Sequence, residues 1–386
     1  MLRVLTVTTL YPSLARPHHG VFVENRMRRL VARGDVSVRV IAPVPWFPFT
    51  NERFGEYAQF AATPRRETRH GIVIDHPRYA LPPKIGMNIA PDTMARAMIG
   101  AAEKIVAEEG PFDVVDAHYF YPDGVAAAAL ARRLQLPMTV TARGTDINLI
   151  PEYDRPRARI LATADQAAAS ITVCAALRDE MIAIGADAEK IRVLRNGVDL
   201  DVFHPPAERA PNARKKLVSV GHLIERKGHH LVIEALADLP DCELEIAGDG
   251  PDFAALQRLA EDLGVADRTT FLGRVPHEDL AGIYGRADAM VLASSREGWA
   301  NVLLEAMACG TPVIATAIWG TPEVVAAPEA GVLVEERSGP AIAAKARELF
   351  AAPPDRAATR AYAETFSWDA TIDGLYETLT AAAGKR

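Results

Sequence analysis

Short runs of apolar, often β-branched residues recur along this chain, and Ala- and Leu-rich stretches of helical period separate them. That alternation predicts parallel sheets built from βαβ units. In the first half it predicts strands over residues 4–9, 38–42, 113–117, 138–141 and 170–174, with helices over 22–33 and 124–134. The pattern then restarts, with strands over 216–220, 243–247, 270–272, 289–292 and 312–315 and helices over 229–237 and 252–263. Two doubly wound α/β units accommodate these strands better than one long sheet. Asn-Gly, prolines and polar residues interrupt the periodicity over 196–211. A boundary is expected there, between a domain 1–195 and a domain 196–365. The closing segment 366–386, helical over 366–383 after Pro353-Pro354, is expected to pack back on the first domain. Residues 43–95 are irregular, mixing Pro45-Trp46-Phe47-Pro48-Phe49 with Arg65-Arg66, Arg69 and Arg78-Tyr79. An insertion packed on its own domain and a loop facing an acceptor or a membrane both fit that segment.

The chain has 386 residues, 49% hydrophobic and 24% charged, the profile of a globular enzyme long enough for two cores. Its net charge of -7 is uneven: 25 Lys+Arg face 21 Asp+Glu in residues 1–195, and 18 face 29 in 196–386. The Arg-rich first half suits attraction to anionic lipid or a phosphorylated acceptor, and equally an ordinary solvated surface. An acidic chain with no recognisable binding module argues against a nucleic-acid partner. Cys174, Cys242 and Cys309 are too scattered for a disulfide framework or a zinc site, and read as buried thiols of a reducing compartment. No apolar run approaches the roughly 18 residues of a membrane span, and residues 1–7 read as a first strand rather than a signal peptide. A cytoplasmic location is expected, with peripheral contact at the inner membrane face left open.

The densest chemistry lies in Ser295-Arg296-Glu297-Gly298-Trp299-Ala300-Asn301-Val302-Leu303-Leu304-Glu305-Ala306-Met307-Ala308-Cys309-Gly310-Thr311-Pro312. It follows a strand and opens a helix whose first turn is expected near Trp299. A helix N-terminus presents unpaired N–H groups and partial positive charge, and so suits a diphosphate. Glu297 falls in the loop before the helix. Glu305 falls two turns inside it, within reach of a ribose. Taken alone, two glutamates eight residues apart are ordinary surface charges.

The string as a whole resembles the signature of the family 4 retaining glycosyltransferases, which have the GT-B fold: two Rossmann-like domains facing each other across a cleft. Further matches run in order from near residue 9 to residue 368. Val220-Gly221-His222 with Arg226-Lys227-Gly228 resembles the family's diphosphate-binding loop, although His222 stands where Arg is usual. Ala247-Gly248-Asp249-Gly250-Pro251 resembles its strand-end turn. Leu272-Gly273-Arg274-Val275-Pro276 resembles the segment that cradles the base. Asp116-Ala117-His118 resembles the strand end carrying the family's active-site histidine. Gly20 matches the glycine that opens the helix facing the donor phosphates; the adjacent His18-His19 pair is either functional or idle. Arg143 replaces a usual histidine, as an acceptor-phosphate contact or a simple substitution. Asp199-Leu200-Asp201 has the form of a metal-binding tripeptide, but its place in the linker predicts a turn or cap.

The resemblance implies a hexosyltransferase that takes a UDP- or GDP-sugar donor in the second domain. The acceptor, a polysaccharide, a lipid-linked glycan or another cell-envelope glycan, would lie on the first. Bacterial exopolysaccharide enzymes resemble it through Tyr11-Pro12-Ser13 and Gly20-Val21-Phe22-Val23-Glu24. His118, Glu297, Lys227 and Arg226 would act on the reacting groups. Gly20, His222, Gly248, Arg274, Val275, Gly298, Trp299, Ala300, Asn301, Val302 and Glu305 would hold the donor, with no metal and no further cofactor. A GT-B epimerase or phosphorylase and a non-catalytic sugar-binding homologue are the alternatives. A nicotinamide-dependent dehydrogenase is disfavoured, because no G-x-G-x-x-G follows the first strand.

Overall fold

Strands that are apolar on both faces need cover on both sides, and helices between successive strands supply it. The computed structural model describes residues 1–82 and 86–384. It divides into two compact units, Met1–Arg195 with Asp369–Arg386, and Asn196–Trp368.

The first unit contains β1 (Leu2–Val7), β2 (Val36–Ile41), β3 (Val44–Pro45), β4 (Arg66–Arg69), β5 (Ile72–Asp75), β6 (Arg78–Tyr79), β7 (Val114–His118), β8 (Met138–Ala142), β9 (Ala169–Thr172) and β10 (Ile191–Val193). Eight of these form one sheet in the order β10-β9-β8-β7-β1-β2-β5-β4; β3 and β6 pair separately. Every residue of β7 and β8 is buried, as central parallel strands require. At the edge, β4 runs antiparallel to β5 and carries Arg66, Glu67 and Arg69, charges that discourage further strand pairing. Chain order reverses between β1 and β7, which opens a crevice at their carboxyl ends.

The second unit contains β11 (Lys215–Val220), β12 (Cys242–Ala247), β13 (Thr269–Gly273), β14 (Ala289–Leu292), β15 (Val313–Thr316) and β16 (Gly331–Val334). They form a wholly parallel sheet, β13-β12-β11-β14-β15-β16, whose order reverses between β11 and β14. Its core packs Val232, Ile233 and Leu236 of the helix His229–Ala237 against Leu217, Leu244, Ile246 and Val291 of the strands. Each such side chain contributes about 1.5–3 kcal/mol of burial energy.

One large element escaped the sequence pattern. Residues 86–109 form a helix, Gly86–Glu109, partly inside the segment read as irregular. Pro91 and Gly100 interrupt it by composition, and its buried face is made of Ala90, Met94, Met98, Ala102 and Ile105. Small residues and methionine at helical spacing bury a stripe without producing a strong apolar signal. The closing helix spans Trp368–Ala382.

Candidate active site

In the second unit, motif segments leave the carboxyl ends of four neighbouring parallel strands, so the sheet gathers residues more than 70 positions apart at one edge. His222 and Arg226–Gly228 follow β11, Gly248 follows β12, Arg274 and Val275 follow β13, and Glu297 follows β14. Lys227 and Glu297 thus meet at the β11/β14 switch point. Lys227 Nζ lies 2.6 Å from Glu297 Oε1, which also accepts a 2.7 Å hydrogen bond from Ser294 Oγ. Both charged side chains are largely buried. Two further bonds stitch the loops together: Arg226 Nη1 donates to the Arg296 carbonyl at 2.8 Å, and the Ser295 amide donates to the Arg226 carbonyl at 2.8 Å. Gly228 allows this approach. Its φ is +73°, and an added Cβ would stand 2.1 Å from the Ala293 carbonyl oxygen.

The helix after Glu297 is Asn301–Ala308, so it starts two residues later than expected and Glu305 lies in its second turn. Ala300 breaks the helical backbone at ψ 81°. Trp299 is buried, donates its indole N–H to the Asn196 carbonyl at 3.1 Å and packs on Phe366. Its side chain therefore anchors the loop. The Asn301 amide already donates to the Trp299 carbonyl at 3.1 Å.

Glu305 is buried and accepts hydrogen bonds from Tyr284 Oη at 3.2 Å and, across 2.9 Å, from His277 Nε2. Burial alone would lower the His277 pKa, but the Glu305 carboxylate outweighs it and the pKa is raised. His277 and Tyr284 were not singled out from sequence; a lone histidine after Pro276 carries no signal until folding places it on Glu305. Arg274 pairs with Asp249, and exposed His222 lies 3.9 Å from the same carboxylate. In Glu305→Gln, the His277 titration midpoint should fall and affinity for a ribonucleotide should drop about 10-fold or more, the worth of one charged hydrogen bond. Histidine NMR and calorimetry read the two effects; an unmoved midpoint would overturn the coupling.

In the first unit the corresponding crevice lies between β1 and β7. Gly20, with φ +74°, precedes the helix Val21–Ala32, and a Cβ there would meet the Leu10 carbonyl at 2.4 Å. His118 ends β7 and is fully buried. Arg143 donates to its Nδ1, so the ring proton sits on Nε2, 3.0 Å from Asp116 Oδ2 though not aligned as a hydrogen bond. Asp116 is held in turn by Thr139 Oγ1 at 2.9 Å. Asp146 accepts from the amides of Phe120, Arg143 and Gly144 at 2.7, 3.0 and 2.8 Å, closing the turn that positions Arg143.

Burial pushes the His118 pKa down to about 4, against the Asp116 carboxylate and helped by the Arg143 charge. Between about 4 and the ordinary 6.5 the unfolded chain takes up a proton that the folded one refuses. His118 therefore lends stability that is lost on acidification through that window. His118 should stay neutral in NMR titration down to about pH 4, and a midpoint near 6.5 would contradict this environment.

Two α/β units, each with polar side chains gathered at a topological switch point, have the architecture in which ligands bind at the carboxyl ends of the strands. A model described as Glycosyltransferase Family 4 matches residues 19–202, and one described as Glycosyl transferases group 1 matches residues 203–366. The chain belongs to the family 4 glycosyltransferases and has the GT-B fold. It is similar over its whole length to TuaC of Bacillus subtilis strain 168, named as a proposed teichuronic acid biosynthesis glycosyltransferase: 28% identical, covering 100% of this chain and 96% of that one. Among solved structures, a sucrose-phosphate synthase from Thermosynechococcus elongatus superposes with a TM-score of 0.80 at 21% identity, over 99% of this chain and 100% of that one. Anabaena HepE in complex with UDP and glucose gives 0.74 at 18% identity, over 99% and 100%. Among the described residues no helix is long and apolar enough to cross a membrane.

Proposed function

We propose that this glycosyltransferase moves a hexose from a UDP- or GDP-sugar to a polysaccharide, lipid-linked or other cell-envelope acceptor, with retention of anomeric configuration. One observation carries the reading: Lys227, Glu297 and Ser294 interlock at the β11/β14 switch point, with Glu297 four positions before the first residue of the helix Asn301–Ala308. Phosphates favour such an edge, where a cation and helix amides converge. The named ligands of the HepE complex and the name of TuaC support a nucleotide-sugar donor and an envelope acceptor.

In this reading Lys227 turns from Glu297 to the leaving diphosphate, and Glu297, so released, accepts hydrogen bonds from hexose hydroxyls. Arg226 holds the Glu297 loop through the Arg296 carbonyl and adds positive charge beside the phosphates. Glu305 accepts from the ribose, while Gly298, Ala300 and Val302 belong to the segment along which the donor phosphates lie. Gly248, Arg274, Val275 and His222 line the nucleotide side, and Gly20 and His118 act from the first unit. Charge on the departing diphosphate grows in the transition state, so these cations and dipoles lower the barrier. In a front-face displacement a donor phosphate oxygen takes the acceptor proton, and no protein carboxylate acts as base. The proposed reaction uses no metal. The enzyme would work in the cytoplasm, against the inner membrane face where the acceptor is membrane-bound.

Thermal shift with UDP, GDP, ADP and their hexose conjugates tests this directly. At 100-fold excess over Kd a ligand that binds only the folded state adds about 2.7 kcal/mol of stability. A shift from one nucleotide family, weakened in Glu305→Ala, is expected; no shift from any of them would refute the donor site.

A further inference from the structure

A cavity of about 400 Å³ opens in the first unit, and all of its wall comes from that unit. Leu10, Val44, Pro45, Phe60, Met87 and Ala90 contribute to a wall that is mostly apolar. Open clefts of this size and character suit small apolar ligands or ligand segments.

The surface beside it is apolar too. Tyr57 packs on Phe60 of the wall at 5.9 Å between ring centroids, and Phe47 packs on Tyr57 at 5.2 Å. Phe54 and Phe49 continue the chain of rings, at 5.3 and 6.0 Å from Phe47. Tyr57 is 46% exposed and Phe49 56%, and their neighbours in sequence or in the wall, Trp46 at 62% and Met87 at 41%, are also open to solvent. The result is a continuous apolar track from solvent to the cavity. Single exposed apolar residues are ordinary, but a contiguous track marks a contact with something apolar.

Two guanidiniums lie over the track. Arg53 stands 4.7 Å from the centroid of Phe54, and Arg16 stands 4.9 Å from that of Phe60, where it also pairs with Glu56. Cations held over rings keep their charge at the edge of an apolar surface. Apolar track and flanking arginine together match a molecule with a hydrocarbon chain and a phosphate. The wall also holds polar side chains, Arg16, His19, Glu56 and His76 among them, which suit the polar end of such a molecule.

We propose that the acceptor is a phosphate-bearing amphiphile whose hydrocarbon chain lies along this aromatic track and enters the cavity, with Arg53 near its phosphate. The proposal rests on the transferase reading and adds the acceptor's chemical class.

Calorimetry with monomeric alkyl phosphates tests it. Dodecyl phosphate should bind, and affinity should fall about threefold to fourfold for each methylene removed down to octyl phosphate. Inorganic phosphate should not compete. Met87→Glu, at an exposed wall position, and Tyr57→Ser, on the exposed track, should each weaken dodecyl phosphate about 10-fold or more. Ile182→Glu, exposed but outside the wall, should leave binding unchanged. Arg53→Ser should erase the preference for dodecyl phosphate over dodecanol. No binding, no dependence on chain length, or wild-type affinity in both Met87→Glu and Tyr57→Ser would overturn the proposal. So would binding to anionic vesicles with none to the monomeric alkyl phosphate, which would mark a membrane-docking surface instead. Thermal shift with UDP and GDP on the same samples separates the two readings. Lost alkyl binding with retained nucleotide binding sinks only this inference; the reverse sinks the transferase reading.

Discussion

Lys227→Ala should lower kcat about 10²- to 10³-fold, the usual cost of removing one group aimed at developing charge. The effect is expected mainly in kcat, because the diphosphate gains charge only as the glycosidic bond breaks. Glu297→Ala should cost about 10²-fold or more through lost placement of the hexose. The stability consequences are separate and informative. Lys227 Nζ and Ser294 Oγ both use Glu297 Oε1, so removing the lysine leaves the carboxylate with its serine partner still in place. Breaking a fully buried pair costs about 3–5 kcal/mol, and this one, partly exposed, should cost less. The double variant should be no less stable than the weaker single one, because removing both partners strands neither charge. Steady-state kinetics and urea unfolding of the three variants measure all of this. Near-normal turnover in Lys227→Ala, with the fold intact, would remove this residue from the mechanism.

Gly228→Ala should destabilise the protein by about 2–5 kcal/mol, adding the left-handed backbone penalty to the cost of overpacking. The new Cβ would meet the Ala293 carbonyl carbon and oxygen at 2.8 and 2.1 Å, and backbone atoms cannot rotate away as a side chain can. Relief requires the loop after β11 to part from the end of β14, which pulls Lys227 away from Glu297. Donor affinity and turnover should therefore fall with stability. Denaturant unfolding gives the first number and nucleotide titration the second. A loss below about 1 kcal/mol would show that the loop relaxes without cost.

The strand–helix alternation is legible because apolar period is a local property that burial on both faces imposes on each strand. Every residue of β7 and β8 is buried; β8 appears as an unbroken run of apolar and small residues, and β7 as an apolar run that carries Asp116 and His118 toward its end. The helix Gly86–Glu109 was missed because its buried stripe is mostly alanine and methionine, with Pro91 inside it. The helix Asn301–Ala308 starts two residues after the position that the sequence pattern indicates: Trp299 looks helical by type, yet its indole is tied to the Asn196 carbonyl.

For the candidate site the division is similar. Glu297, Glu305, Lys227 and Arg226 stand out through the family resemblance of the strings that carry them; residue type and spacing alone leave them ordinary charges. Their partners cannot. His277 and Tyr284 on Glu305 and Arg143 on His118 lie 21 to 28 residues from their partners and depend on which strand ends lie side by side. The burial that drives His118 to about 4 is likewise a property of the packed sheet. The apolar cavity beside the aromatic track is another such property, since no single stretch of chain encloses it. Local pattern thus sets the α/β class, the family and the chemical groups on hand. Long-range packing sets which of those groups touch, how each is charged, and where an apolar ligand finds room, because these depend on distances that no short window of sequence contains.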